Sequence, residues 1–211
     1  MTYQIIWEDF LTADDYKNAV DYCNRYSPVY QQVKREYTAC LETLLIALSE
    51  KQEGFLYDFL AAREELHHQT CFFAMSRGWQ DCEFAVAGFD TLCIPAFEKI
   101  SKLQDHLSAF LYKRKPPFVR NLLSDSGTAA QAFLSRLNSE AKDIRALFSS
   151  MCRLLHLGQK MLLPYLYLGG FESELHRREL TEEQREHACS ALLARYQALG
   201  LCRHYSFFWD L

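Results

Sequence analysis

The chain has 211 residues, 49% of them hydrophobic and 14% aromatic, enough to fill one large helical core or two small ones without disulfide or metal staples. Its 23 basic and 27 acidic side chains leave a formal charge of −4, too near balance for a general nucleic-acid binder and too mild for an acidic mimic of DNA. The balance is uneven: residues 1–60 carry five basic and ten acidic groups, residues 61–127 eight of each, and residues 128–211 ten and nine.

Helix-start signals recur along the chain and predict an all-α fold of about seven helices. The aromatic arm Tyr3-Gln4-Ile5-Ile6-Trp7 precedes a first helix expected over Ala13–Tyr26, started by Thr12 with Asp14 and Asp15. Ser27-Pro28 sets a capping hydroxyl before a proline at the first helical position, where the missing N–H costs nothing. The helix it opens runs to Leu48, with Val29, Val33, Tyr37, Leu41, Leu44, Leu45 and Leu48 recurring at steps of three and four. Ser49-Glu50-Lys51-Gln52 is a capping box that opens the next helix, apolar at Phe55, Phe59, Ala62, Leu66 and Phe73. With almost no loop between them, these two helices should form a long antiparallel hairpin. Gly88 and Pro95 argue against continuity past the late eighties.

A further helix is expected over Ile94–Tyr112, closed by Lys113-Arg114-Lys115-Pro116-Pro117. Residues 116–127 read as a linker between an N-terminal hairpin region, 1–115, and a C-terminal helical region, 128–211. Thr128-Ala129-Ala130-Gln131 then opens a long helix to Leu157, a short apolar helix kinked at Pro164 reaches Gly169-Gly170, and Thr181-Glu182-Glu183-Gln184 caps a last one to Leu199. The aromatic tail Tyr205–Trp209 calls for a docking surface.

Eight cysteines without a C-x-x-C pair, in a chain that opens on neither a charged n-region nor an apolar h-region, read as buried thiols of a cytoplasmic protein. No apolar run approaches the roughly 20 residues that span a bilayer.

Three clusters carry candidate chemistry. Glu36, Glu42, Glu50, Glu53 and Asp58 make the N-terminal quarter an acidic face suited to a basic partner. Glu64 and His67 have the i, i+3 spacing with which helical di-iron bundles aim two ligands at one metal pair, and Glu183 and His187 are an i, i+4 pair. A second Glu-x-x-His is absent, so a solvated helix face is the competing reading. Lys113, Arg114, Lys115 and Arg120 around Phe118 could meet phosphates and stack on a base, or simply cap a helix end. There is no G-x-S-x-G, no G-x-x-x-x-G-K and no G-x-G-x-x-G among the eight glycines. No catalytic residue and no cofactor is assigned.

Leu48-Ser49-Glu50-Lys51-Gln52, Ala62-x-x-Glu65-Leu66 and Phe73-Ala74-Met75-Ser76-Arg77-Gly78-Trp79 carry a resemblance over residues 30–89. That segment resembles a family of short helical-hairpin proteins of phages and integrative elements of gut Firmicutes. In that family the aromatic is followed by a second glycine where this chain has Asp81. The resemblance implies a mobile-element setting and no activity. An accessory protein in such a setting is expected to bind another protein, and inhibitors of bacterial defence systems, of the anti-CRISPR type, are a natural subclass.

Overall fold

The computed structural model describes residues 13–88, 117–138 and 141–198. Among these the fold is all-α, with helices α1 (Ala13–Tyr26), α2 (Pro28–Ala47), α3 (Glu50–Val86), α4 (Pro117–Ser135), α5 (Lys142–Arg177) and α6 (Glu182–Ala198). The arm at Tyr3–Trp7, the helix expected over Ile94–Tyr112 and the tail Tyr205–Trp209 lie outside the described residues. No described helix is long and apolar enough to cross a membrane.

Three helix starts are made as their sequences dictate. The Ser27 hydroxyl accepts from the Tyr30 amide at 3.2 Å, with Pro28 in the first turn of α2. The Gln52 side chain accepts from the Ser49 amide and hydroxyl, and its own amide donates to the Arg136 carbonyl. At α6 the box closes in both directions: the Thr181 amide donates to Gln184 Oε1 at 3.1 Å, and the Gln184 amide donates to Thr181 Oγ1 at 3.3 Å. At the other end of α3, Gly88 takes φ +78, a left-handed conformation that glycine adopts without a Cβ clash, and stops the helix.

Two breaks fall elsewhere than the sequence pattern suggested. Residues 117–127, expected as a linker, belong to α4, because Val119, Ser126 and Phe133 are buried and tertiary packing holds Ser-Asp-Ser-Gly in helix. Thr128 is therefore a helix-interior residue, and the true break follows Ser135. There the Arg145 guanidinium donates to the Leu134 and Leu137 carbonyls at 3.1 and 3.2 Å, satisfying the orphan acceptors of the α4 end. Conversely, α5 runs unbroken through Pro164, Gly169 and Gly170. Residues 162–172 are buried all round, and that burial outweighs the lost hydrogen bond and the glycine entropy.

The chain forms two compact units. Unit 2 holds α2, α3 up to Thr70, α4 and α5 up to Met161. Its core joins Leu44 and Leu48 to Leu56, Phe59, Phe133, Leu137, Phe148 and Met151, so the apolar stripes of α2 and the first half of α3 do meet as a hairpin. Phe148 lies 5.0 Å from Phe59 and 4.7 Å from Phe133 between ring centroids. Unit 1 holds α1, α3 from Cys71, α5 from Leu162 and α6. Tyr22 of α1 packs on Tyr165 of α5 at 5.4 Å. At the crossing of α3 and α5 the backbones themselves touch: a Cβ on Gly78 would stand 1.8 Å from the Tyr167 carbonyl oxygen, and one on Gly170 2.0 Å from that of Met75.

Candidate functional site

The acidic residues singled out in the N-terminal quarter lie on the α2–α3 hairpin of unit 2. Glu36 and Glu42 are exposed on α2; Glu50 and Asp58 are exposed and Glu53 half-buried on α3. Glu50 and Glu53 sit in the first turn of α3, where the exposed N–H groups favour negative charge. Along the solvent side of this helix Glu50, Gly54, Tyr57, Asp58, Ala61, Glu64, Glu65 and His68 are all exposed. Leu56, Phe59 and Leu66 fill the core side. Tyr57 is 54% exposed in the middle of that stripe, and Lys51 is the one exposed lysine or arginine among residues 50–68. The half-buried Arg63 is turned to Gln159 at 2.8 Å. The stripe is thus an acidic helix face with one exposed aromatic ring on it.

The candidate metal residues are divided between the two units. Glu64 is exposed, and His67 is half-buried with its imidazole lowered to about 4 by burial, then by Arg63 and His68. Both belong to unit 2, whereas Glu183 and His187, exposed on α6, belong to unit 1. No group of three or more His, Cys, Asp or Glu able to hold a metal ion occurs among the described residues. Of the basic candidates, Arg120 is exposed on α4, and Lys113, Arg114 and Lys115 lie outside the described residues.

A second cluster was not anticipated from sequence. In unit 1 Asp81, Glu172, Glu174 and Arg195 are all buried. Tyr167, itself fully buried, donates its hydroxyl to Asp81 Oδ2 at 2.8 Å and accepts from Arg195 Nε at 2.9 Å. Arg195 also donates to the Ala191 carbonyl and lies over the Phe171 ring, while Arg77 Nε stands 3.6 Å from Asp81. The Tyr196 hydroxyl donates to the Glu172 carboxylate, and His176 Nδ1 donates to the Glu172 carbonyl at 2.8 Å. Glu174 accepts from Arg177 at 2.7 Å and from Arg178, which also reaches Glu83. The signals were there: Arg77/Asp81 and Glu174/Arg178 are i, i+4 pairs. What sequence could not show is that an apolar segment would surround them.

These groups hold their protons firmly. Burial, ahead of any neighbour, pushes the Tyr167 phenol well above its ordinary value, so it stays a donor to Asp81. The Cys82 thiol is pushed up to about 12 and that of Cys152 to about 11, again chiefly by burial, and those of Cys23 and Cys71 are raised as well. None of these four is a thiolate near neutral pH, the form a nucleophile needs. The buried cluster joins α3, α5 and α6 through the Asp81–Tyr167–Arg195 hydrogen bonds and the Tyr196–Glu172 hydrogen bond.

No protein-family model, no curated protein and no solved structure matches the chain.

Proposed function

We propose that this chain acts without catalysis, as a protein that binds another protein through the acidic face of its α2–α3 hairpin. The observation that carries the reading is the solvent stripe of α3, where Glu50, Asp58, Glu64 and Glu65 are exposed along the same helix as the Tyr57 ring. Tyrosine is a common anchor of protein interfaces, and carboxylates of one sign steer a basic partner and set its register. The resemblance of residues 30–89 to helical-hairpin proteins of phages and integrative elements supports a mobile-element setting for such a binder. An inhibitor of a bacterial defence nuclease, whose nucleic-acid channel is basic, is the partner class that fits both charge and setting.

The test is affinity capture of the tagged chain from Firmicute lysate supplemented with candidate defence nucleases, run at two salt concentrations beside a Glu50→Lys/Glu53→Lys variant and a Tyr57→Ala variant. A stoichiometric protein bound by the native chain, lost from both variants and released faster at high salt, supports the reading. A partner held equally by all three sinks the acidic-face assignment, and recovery of nucleic acid alone sinks the protein-binding reading.

A further inference from the structure

The outer face of α2 points to a second copy of this chain as its occupant, an inference carried by α2 whereas the partner reading above is carried by the solvent stripe of α3. Opposite the buried Tyr30, Val33 and Leu44, the residues Gln32, Arg35, Ala39, Glu42 and Ile46 recur at alternating steps of three and four, and all five are exposed. That spacing puts them on one continuous face of the helix. Ile46 is 86% exposed and Val29 60%, and they stand at opposite ends of the same helix. Neither Arg35 nor Glu42 has a partner within the chain among the described residues.

This face is self-complementary under a two-fold axis. Two α2 helices laid antiparallel about Ala39 place Arg35 of each against Glu42 of the other, so both ion pairs form at once. The small Ala39 side chains lie at the axis, where the backbones approach most closely. In the same register Ile46 of each copy falls on Gln32 of the other, which is exposed on the same face. The charge order along the helix, basic toward the N-terminus and acidic toward the C-terminus, opposes a parallel pairing, which would stack Arg35 on Arg35 and Glu42 on Glu42. One helix pair is a small contact beside the roughly 1,200–2,000 Å² of a stable interface, so the dimer is concentration-dependent.

Sedimentation equilibrium of the full-length chain from micromolar to millimolar concentration tests this, with helicity confirmed for each variant. The native chain is expected to show a monomer–dimer equilibrium. Arg35→Glu alone and Glu42→Arg alone each turn two attractions into two repulsions and are expected to weaken the dimer by about tenfold or more. The double variant restores it, and so does an equimolar mixture of the two single variants. A native chain that stays monomeric throughout overturns the assignment, as does a dimer that both single variants leave unchanged. The capture experiment on Glu50→Lys/Glu53→Lys perturbs α3 alone and leaves Arg35 and Glu42 in place, so either reading can fail alone.

Discussion

Replacing Gly78 by alanine tests the contact on which unit 1 is built. The added Cβ would sit 1.8 Å from the Tyr167 carbonyl oxygen and 2.8 Å from the Phe171 amide nitrogen, both backbone atoms of α5 that no side-chain rotation can move. Reaching ordinary contact at 3.4 Å or more means prising the two helices apart by over an ångström. Overpacking of a core costs about 1–3 kcal/mol. The same displacement pulls the Tyr167 hydroxyl from Asp81, stranding a buried carboxylate at a further cost of about 1–3 kcal/mol. Alanine returns about 1 kcal/mol of helix propensity. The net expectation is therefore a loss of roughly 1–5 kcal/mol, read as a lower urea midpoint by helical circular dichroism. Gly169→Ala is the control: it lies in α5 with nothing within 4 Å of the new Cβ, and should leave stability equal or higher. If Gly78→Ala falls within about 0.5 kcal/mol of that control, the close crossing is wrong.

Tyr167→Phe removes the hydroxyl that joins Asp81 to Arg195 and should cost about 2 kcal/mol, checked in the same urea titration; no measurable loss would mean the network does not bear on stability. His67 is neutral in the fold until about pH 4 but protonates near 6.5 when unfolded, so its contribution is intact above pH 6.5 and is lost as pH falls from there toward 4. The native chain should therefore lose up to about 1.4 kcal/mol per pH unit across that window, and His67→Gln should flatten the slope, as read by thermal melts at stepped pH. Cys23, Cys71 and Cys82 should resist iodoacetamide at pH 8 in the folded chain and react in denaturant, while the half-buried Cys40 and Cys189 label first; mass spectrometry of labelled peptides decides.

What the sequence made legible were the local signals whose chemistry is complete within four residues. Ser27, Ser49 and Thr181 mark true helix starts because cap and partner lie one turn apart. Thr128 with Gln131 has the same letters and sits inside α4, because the pattern is equally compatible with a helix interior once Val119 and Phe133 are buried on either side of it. Pro164 and Gly170 read as breaks for the same reason. Their local preference is real, but α5 is buried there, and Gly170 is wanted for the close approach of Met75 and not for a turn. The acidic face was legible as charge, since exposure follows from the apolar stripe on the other side of each helix. The Asp81–Tyr167–Arg195 chain was not, because its three members are 86 and 28 residues apart in sequence and only the fold introduces them to one another.

The division of α3 after Thr70 and of α5 after Met161 has a consequence for synthesis on the ribosome. Unit 2 takes its last described residues from the first half of α5, so it can close once residue 161 has emerged. Unit 1 needs α1 from the beginning of the chain and α6 from beyond residue 181, and until then α1 and the apolar second half of α3 wait exposed. Growth of the chain thus imposes an order in which the hairpin end matures first, and the unit that carries the buried charges is the one most dependent on protection while it waits.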